Sequence, residues 1–224
     1  MTKTELLRLQ REERRQEKLK AERERLETMR SYERQYALRG ALCGIDEVGR
    51  GPLAGPVVAG AVILPQDCEI LYLNDSKKLS EKKRELLYDE IMEKAVAVGI
   101  GAVSPERIDE INILQATYEA MREAISKLEP APDILLNDAV TIPEVTIPQV
   151  PIIKGDAKSI SIGAASIIAK VTRDRLMVEY DQILPEYGFA SNKGYGSAEH
   201  IAALKKYGPS PIHRRSFIHN FIEE

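Results

Sequence analysis

Four acidic side chains stand where a carboxylate is hard to leave alone: Asp46, Glu47, Asp138 and Asp156. A short apolar run leads into each: residues 41–45 into Asp46 and Glu47, 133–138 up to Asp138, and 150–153 into Lys154-Gly-Asp156. Carboxylates at strand ends are easily crowded and desolvated, which is costly unless cations sit among them. Four of them with little positive charge in the same segments make a hard-oxygen site suited to Mg²⁺ or Mn²⁺. Two such ions about 3.5–4 Å apart can activate a water and stabilise a leaving oxygen in phosphodiester cleavage. The first pair of acids opens into the glycine loop Gly49-Arg50-Gly51-Pro-Leu-Ala-Gly55. Its glycines let backbone N–H groups come close to a phosphate or a sugar. The same stretch also reads as a surface strand-turn-strand with solvated acids, and a short motif alone does not decide. Adjacent strand residues point to opposite faces. For Asp46 and Glu47 to serve one site, Glu47 must act through its carbonyl, or the strand must end or bulge there.

The elements that must position these acids follow from periodicity and punctuation. Strands are expected over residues 41–45, 56–64, 95–103, 133–138 and 150–153, the second rich in β-branched residues and closed by Pro65. Helices are expected from the Ser80 N-cap to Met92, from Pro105 to about Asn112 and on to Leu128, from about Ser159 to Leu184 before Pro185, and around 198–207. Strands interleaved with helices give an α/β fold with a mixed sheet. If the strands bearing the acids are parallel neighbours, their C-terminal ends bring the carboxylates into one crevice, where α/β sheets bind ligands. Residues 4–39 lack Gly and Pro and read as one charged helix with Thr4 as N-cap, ended by Gly40. Its apolar positions (Leu6, Leu7, Leu9, Leu19, Leu26, Met29, Tyr32, Tyr36, Leu38) are too sparse for a coiled-coil seam. It is either a solvated helix partly docked through 26–36 or a basic arm that touches nucleic-acid backbone. The domain division expected is 1–39, the extension, and 40–224, the catalytic domain.

Composition sets the class. A chain of 224 residues, 43% hydrophobic and 30% charged, suits a soluble protein with a proper core. Cys43 and Cys68 lack the spacing of a zinc or disulfide framework. No apolar run is long enough for a membrane span and no secretory signal is evident, so a cytoplasmic protein is expected. Residues 1–40 carry 12 Lys and Arg against 8 Glu, while the remainder carries 20 basic and 27 acidic side chains out of totals of 32 and 35. An acidic body is not the usual footprint of a nucleic-acid binder. It is compatible with one whose acids cluster around metal ions.

Gly44-Ile-Asp-Glu-Val-Gly-Arg-Gly-Pro-Leu, Asp75-Ser-Lys-Lys-Leu-Ser80, Asn112-Ile-Leu114, Lys154-Gly-Asp156, Ala164-Ala-Ser-Ile-Ile-Ala-Lys170, Lys193-Gly-Tyr195 and His213-Arg-Arg-Ser-Phe217 occur in this order. Together they resemble bacterial ribonuclease HII from about Ala41 to Phe217. The resemblance implies a ribonuclease H-like fold: a five-stranded mixed sheet flanked by helices, with a C-terminal helical region beside the N-terminal charged helix. It implies endonucleolytic cleavage of RNA paired to DNA and of single ribonucleotides embedded in duplex DNA, by a monomer using Mg²⁺ or Mn²⁺ and leaving 5′-phosphate and 3′-hydroxyl ends. It makes Asp46, Glu47, Asp138 and Asp156 the metal-binding acids. The mechanism expected from this set has Asp46 bridging two ions, with Glu47 and Asp138 on one and Asp156 on the other.

The same resemblance gives Gly49, Arg50 and Gly51 the ribose 2′-hydroxyl, the group that separates RNA from DNA, and the adjoining phosphate. Tyr195 would stack on the following sugar, though on residues alone it reads as a half-buried tyrosine beside a glycine turn. Lys77, Lys170 and Arg214 are candidates for backbone phosphates or plain solvated cations. The family pattern has an apolar residue before the third acid and a glycine after it, where this chain has Asn137 and Ala139. Asn137 is therefore a candidate to support Asp138. The sister family, ribonuclease HIII, has a threonine in place of Arg50 and a folded N-terminal domain, so the HII pattern fits better. His200, His213 and His219 show no ligand spacing and receive no chemistry. The rivals are a non-catalytic hybrid-binding module and a phosphate-metabolising enzyme whose glycine loop cradles a nucleotide. The first should lack an acid, and the second lacks a P-loop lysine.

Overall fold

A computed structural model of the chain describes residues 3–222. The ends of the two expected segments (Met1, Thr2, Glu223 and Glu224) and the side chain of Leu6 lie outside the described residues. Five strands form one sheet: β1 Leu42–Val48, β2 Val57–Ile63, β3 Ala97–Val103, β4 Ile134–Asp138 and β5 Gln149–Ile152, in the order β3-β2-β1-β4-β5. β2 runs antiparallel to both β1 and β3, whereas β1, β4 and β5 run parallel. The mixed sheet read from the sequence is therefore present, and its three acid-bearing strands are the parallel neighbours.

Helices cover both faces. Helix α4 (Pro105–Ser126) packs on β2 and β3 around Met121, Ala120 and Ile108, and helix α5 (Ile160–Ile183) packs on β1 and β2 around Ala164, Ala165 and Ile168. The approach of α5 is set by Gly44, where a Cβ would lie 2.0 Å from the Ser161 carbonyl carbon. The Ser159 hydroxyl accepts from the Ile162 N–H and caps α5. Asn112 breaks α4 with φ 69°, and its side chain accepts from Leu114 and Gln115 N–H, capping the second half anew. Two helical segments were expected there.

The N-terminal segment departs from the single helix expected. Helix α1 (Lys3–Met29) begins before Thr4, which is therefore not its N-cap; α1 stops at Arg30, and α2 (Ser31–Tyr36) and a 3-10 turn (Ala37–Arg39) follow. Leu26 and Met29 are buried beside Ile160, Leu73 and Ile70, and the Arg25 guanidinium donates to the Leu73 carbonyl at 2.6 Å. Docking covers the 26–36 stretch read from the sequence and reaches further back, to Arg23 on Glu69 at 3.1 Å and Glu22 on the Tyr72 N–H at 2.6 Å. Helix α3 (Glu81–Lys94) lies beside α5, and after α5 come α6 (Phe189–Asn192), α7 (Ala198–Tyr207) and α8 (Arg215–Ile218). Among the described residues no helix is long and apolar enough to cross a membrane.

Candidate active site

The register of β1 on β4 pairs Ile45 with Asn137, so the next residues, Asp46 in β1 and Asp138 at the end of β4, lie side by side on neighbouring parallel strands. Alternation puts Gly44 and Asp46 on the α5 face of the sheet, and likewise Leu136, which packs on Ile162, and Asp138. Asp46 is buried and accepts the Glu47 N–H at 2.8 Å. Burial pushes its carboxyl well above the usual range, the Glu47 and Asp138 charges push the same way, and a hydrogen bond with Ser166 of α5 opposes them. Glu47 is raised as well, by burial first and also by Asp138, against the pull of Arg50 at 3.3 Å. Strand β1 ends one residue later, at Val48. The pairing with β2 runs unbroken through Glu47 and Val48, so Glu47 keeps the face opposite Asp46, at the rim of the sheet and within the field of Asp138.

Asp156 lies in the 3-10 turn Gly155–Ala157 just past β5, and the Gly155 N–H donates to Asp138 Oδ1 at 2.7 Å. Burial, then Asp75, then Asp138 raise the Asp156 carboxyl, and Lys77 lowers it. Asp75 is the acid that sequence reasoning passed over, although it heads the Asp75-Ser-Lys-Lys motif. The Ser166 hydroxyl bonds Ser76 at 2.9 Å and ties that motif to Asp46. A cleft of about 450 Å³ opens among Asp75, Lys77, Lys78, Asp138, Lys154 and Asp156.

The glycine loop rests on two buried arginines. Arg173 donates to the carbonyls of Pro56, Lys193 and Ala54 at 2.9, 2.9 and 3.0 Å. Arg214 donates to Arg50 at 2.9 Å, to Gly55 at 3.0 and 2.8 Å, and to Gly49. Arg214 is fully buried and its pKa is pushed down to about 9 by burial. This corrects the expectation of a phosphate contact: the guanidinium is spent on loop carbonyls. Gly49, at φ 91°, lies so close to Arg173 that a Cβ would sit 2.4 Å from its Nε. Arg50 itself reaches solvent, with 46% of its side chain exposed. Tyr195 is half-exposed, and its ring edge would lie 3.8 Å from a Cβ on Gly51. The loop and the tyrosine assigned to one substrate thus share one wall.

Lys77 lines the acidic cleft. Lys170 is turned to Asp174 at 2.6 Å, an acid that also meets Arg84 at 3.6 Å, so its ammonium belongs to a helix-face ion cluster. Asn137 is likewise not a support for the acids. It points to the other face, where its amide donates to Gln149 Oε1 at 2.7 Å and the Val140 carbonyl at 3.2 Å and closes the 139–149 loop. Two histidines left without a role also have one. His200 Nε2 and His213 Nε2 are 2.9 Å apart, His200 Nδ1 meets the Tyr195 carbonyl at 2.8 Å, and His213 Nδ1 meets Ser210 Oγ at 2.7 Å. This buried chain braces Tyr195 from behind.

The acids suit a divalent cation by donor type and by strain. All are oxygen ligands, and Asp46, Glu47 and Asp156 are each held above their usual range by burial and by like charge. Among the described residues no group of three or more His, Cys, Asp or Glu side chains is placed to hold a metal ion. An open oxygen site leaves room for phosphate oxygens and water as ligands.

Fold and site together define a class: a ribonuclease H-like enzyme with an acidic centre at the ends of parallel strands. The sequence model of one family, described as Ribonuclease HII, matches residues 43–220. The ribonuclease HII of Lachnoclostridium phytofermentans is 75% identical over 208 residues, covering 93% of this chain and 82% of that protein. The crystal structure of ribonuclease H2 from Pyrococcus horikoshii superposes with a TM-score of 0.66 at 30% identity, over 79% of this chain and 93% of that one. Bst-RNase HIII, solved in complex with Mn²⁺, shares the fold at a TM-score of 0.58 and 18% identity, over 74% of this chain and 60% of that one. The chain belongs to the ribonuclease HII family. It is a ribonuclease H, an endonuclease of the hydrolase class.

Proposed function

We propose that this enzyme cuts the RNA strand of RNA/DNA hybrids and also single ribonucleotides embedded in duplex DNA, with two Mg²⁺ or Mn²⁺ ions, leaving 5′-phosphate and 3′-hydroxyl ends. The observation that carries the reading is that Asp46 and Asp138 directly follow the last paired residues of adjacent parallel strands, Asp46 buried, Glu47 and Asp138 half-buried, and Asp156 close by. Asp46, Glu47, Asp138 and Asp156 hold the cations. When bound, the ions supply water activation and stabilisation of the leaving oxygen. Gly49 and Gly51 bring backbone to the ribose and its phosphate, and Arg50 offers a guanidinium to the same group. Tyr195, on the same wall as the loop, stacks on the next sugar and so reads the junction with DNA. Lys77, at the cleft, offers a charge to the backbone. Lys170 and Arg214 hold protein groups and have no place in this contact set.

The test is a DNA duplex carrying one ribonucleotide. The enzyme should cut it in Mg²⁺ and stop on addition of chelator. Asp46→Asn should fold and lose at least about 10³-fold in rate, the scale of removing a main electrostatic contact to the reacting group. Tyr195→Ala should lose more on this duplex than on a continuous hybrid. Normal turnover by Asp46→Asn in Mg²⁺ would refute the assignment of the acids.

A further inference from the structure

The stripe of α1 that docks on the body runs through Met29, Arg25 and Glu22, at helical steps of four and three. The same stripe continues toward the N-terminus as Lys18, Arg15, Arg14 and Arg11. Where the body lies beneath, the stripe is apolar or bonded to protein. Where the body falls away, it is wholly cationic. These four side chains are exposed and, with Leu19 and Tyr72, line an open groove. Glu13 and Glu17 turn away from this stripe, and Glu12 flanks it. Arg15 reaches Glu12 only at 4.0 Å in a largely exposed pair, and among the described residues Arg11, Arg14 and Lys18 make no ion pair.

Tyr72 forms the floor of this groove in a backbone state uncommon outside glycine, φ 70°. Glu22 Oε1 accepts its N–H at 2.6 Å, and the Lys83 ammonium lies 4.3 Å over its ring. Five and six residues on, the same segment turns into Lys77 and Lys78, which line the acidic cleft. A positive path therefore runs from the cleft over Lys83 and Tyr72 onto α1. It crosses a protein whose residues 41–224 carry 20 basic and 27 acidic side chains.

We infer that the Arg11–Lys18 face of α1 is a second contact surface for the substrate, gripping the backbone of the duplex that flanks the cut. This rests on the proposed action on ribonucleotides in duplexes. The occupant is chosen by charge complementarity: duplex DNA carries one negative charge per ~1.7 Å, and the four cations span about 10 Å of helix. A contact of this kind carries no sequence information; it adds affinity and salt dependence and sets the register of the duplex on the enzyme.

The test uses the full chain and its variant R11Q/R14Q/R15Q/K18Q. Duplexes of about 30 and about 10 base pairs, each with one central ribonucleotide, are bound in chelator across a salt series and cut in Mg²⁺. On the long duplex the variant should bind about tenfold or more weakly, and its slope of log affinity against log salt should be shallower by about one for each lost phosphate contact. On the short duplex the cutting rate should be unchanged. Equal affinity and slope on the long duplex, or an equal loss on both lengths, would overturn the inference. Failure of the unaltered enzyme to cut either duplex would instead overturn the proposed function on which it rests.

Discussion

Ala139 shows what a single position can hold in reserve. It follows Asp138 at φ 55°, a left-handed conformation, and its N–H donates to the Ile152 carbonyl at 3.0 Å. The turn is fixed by that bond and by Gly155 on Asp138, so the alanine methyl carries the steric cost, about 1–2 kcal/mol. The family pattern places glycine there, and the reason is now visible. Ala139→Gly should raise stability by about 0.5–1 kcal/mol, the relief of strain less the added freedom of the unfolded chain, read as a higher urea midpoint. A lower midpoint would contradict this account. Arg214 gives the opposite lesson. Two arginines stand together at 214 and 215, and the sequence offers no sign that the first is buried under the glycine loop while the second lies outside. Asp75 was hidden for a similar reason, since only the folded turn carries it to Asp156.

At the scale of elements, the strands and helices around the acids were legible because alternation, Pro stops and Ser caps all agree there. The clasp behind Tyr195 was not. His200 on α7 and His213 in the following turn are brought together by tertiary contacts, including the bridge of His213 to Ala54, that no spacing rule encodes. The clasp has a pH signature. Burial pushes His213 down to about 4 and lowers His200, whereas in the unfolded chain both take up a proton near 6.5. Between those values the unfolded state binds more protons, so this stabilisation is complete above about pH 6.5 and is lost as pH falls toward 4. The stability gap between the unaltered enzyme and His213→Asn should therefore narrow from pH 7 to pH 4.5 in urea titrations. A gap constant with pH would show that the pair is not held neutral.

Over the whole molecule, the fold concentrates negative charge at one end of the sheet. The raised carboxyls of Asp46, Glu47 and Asp156 have the opposite sign to the histidines: the folded state binds their protons more tightly, so their contribution is favourable in acid and is lost as pH rises through the raised values. At neutral pH the cation-free site is a source of strain, and a cation that binds only the folded form stabilises it by mass action. The most direct measurement is thermal unfolding at pH 7 of the unaltered enzyme and Asp46→Asn, in chelator and over a series of Mg²⁺ and Mn²⁺ concentrations. In chelator Asp46→Asn should melt higher than the unaltered enzyme. Divalent metal should raise the unaltered melting point in a saturable way, with the rise mostly gone in the variant. A melting point indifferent to metal, or an Asp46→Asn variant less stable in chelator, would contradict the claim that these acids form one strained, cation-seeking site.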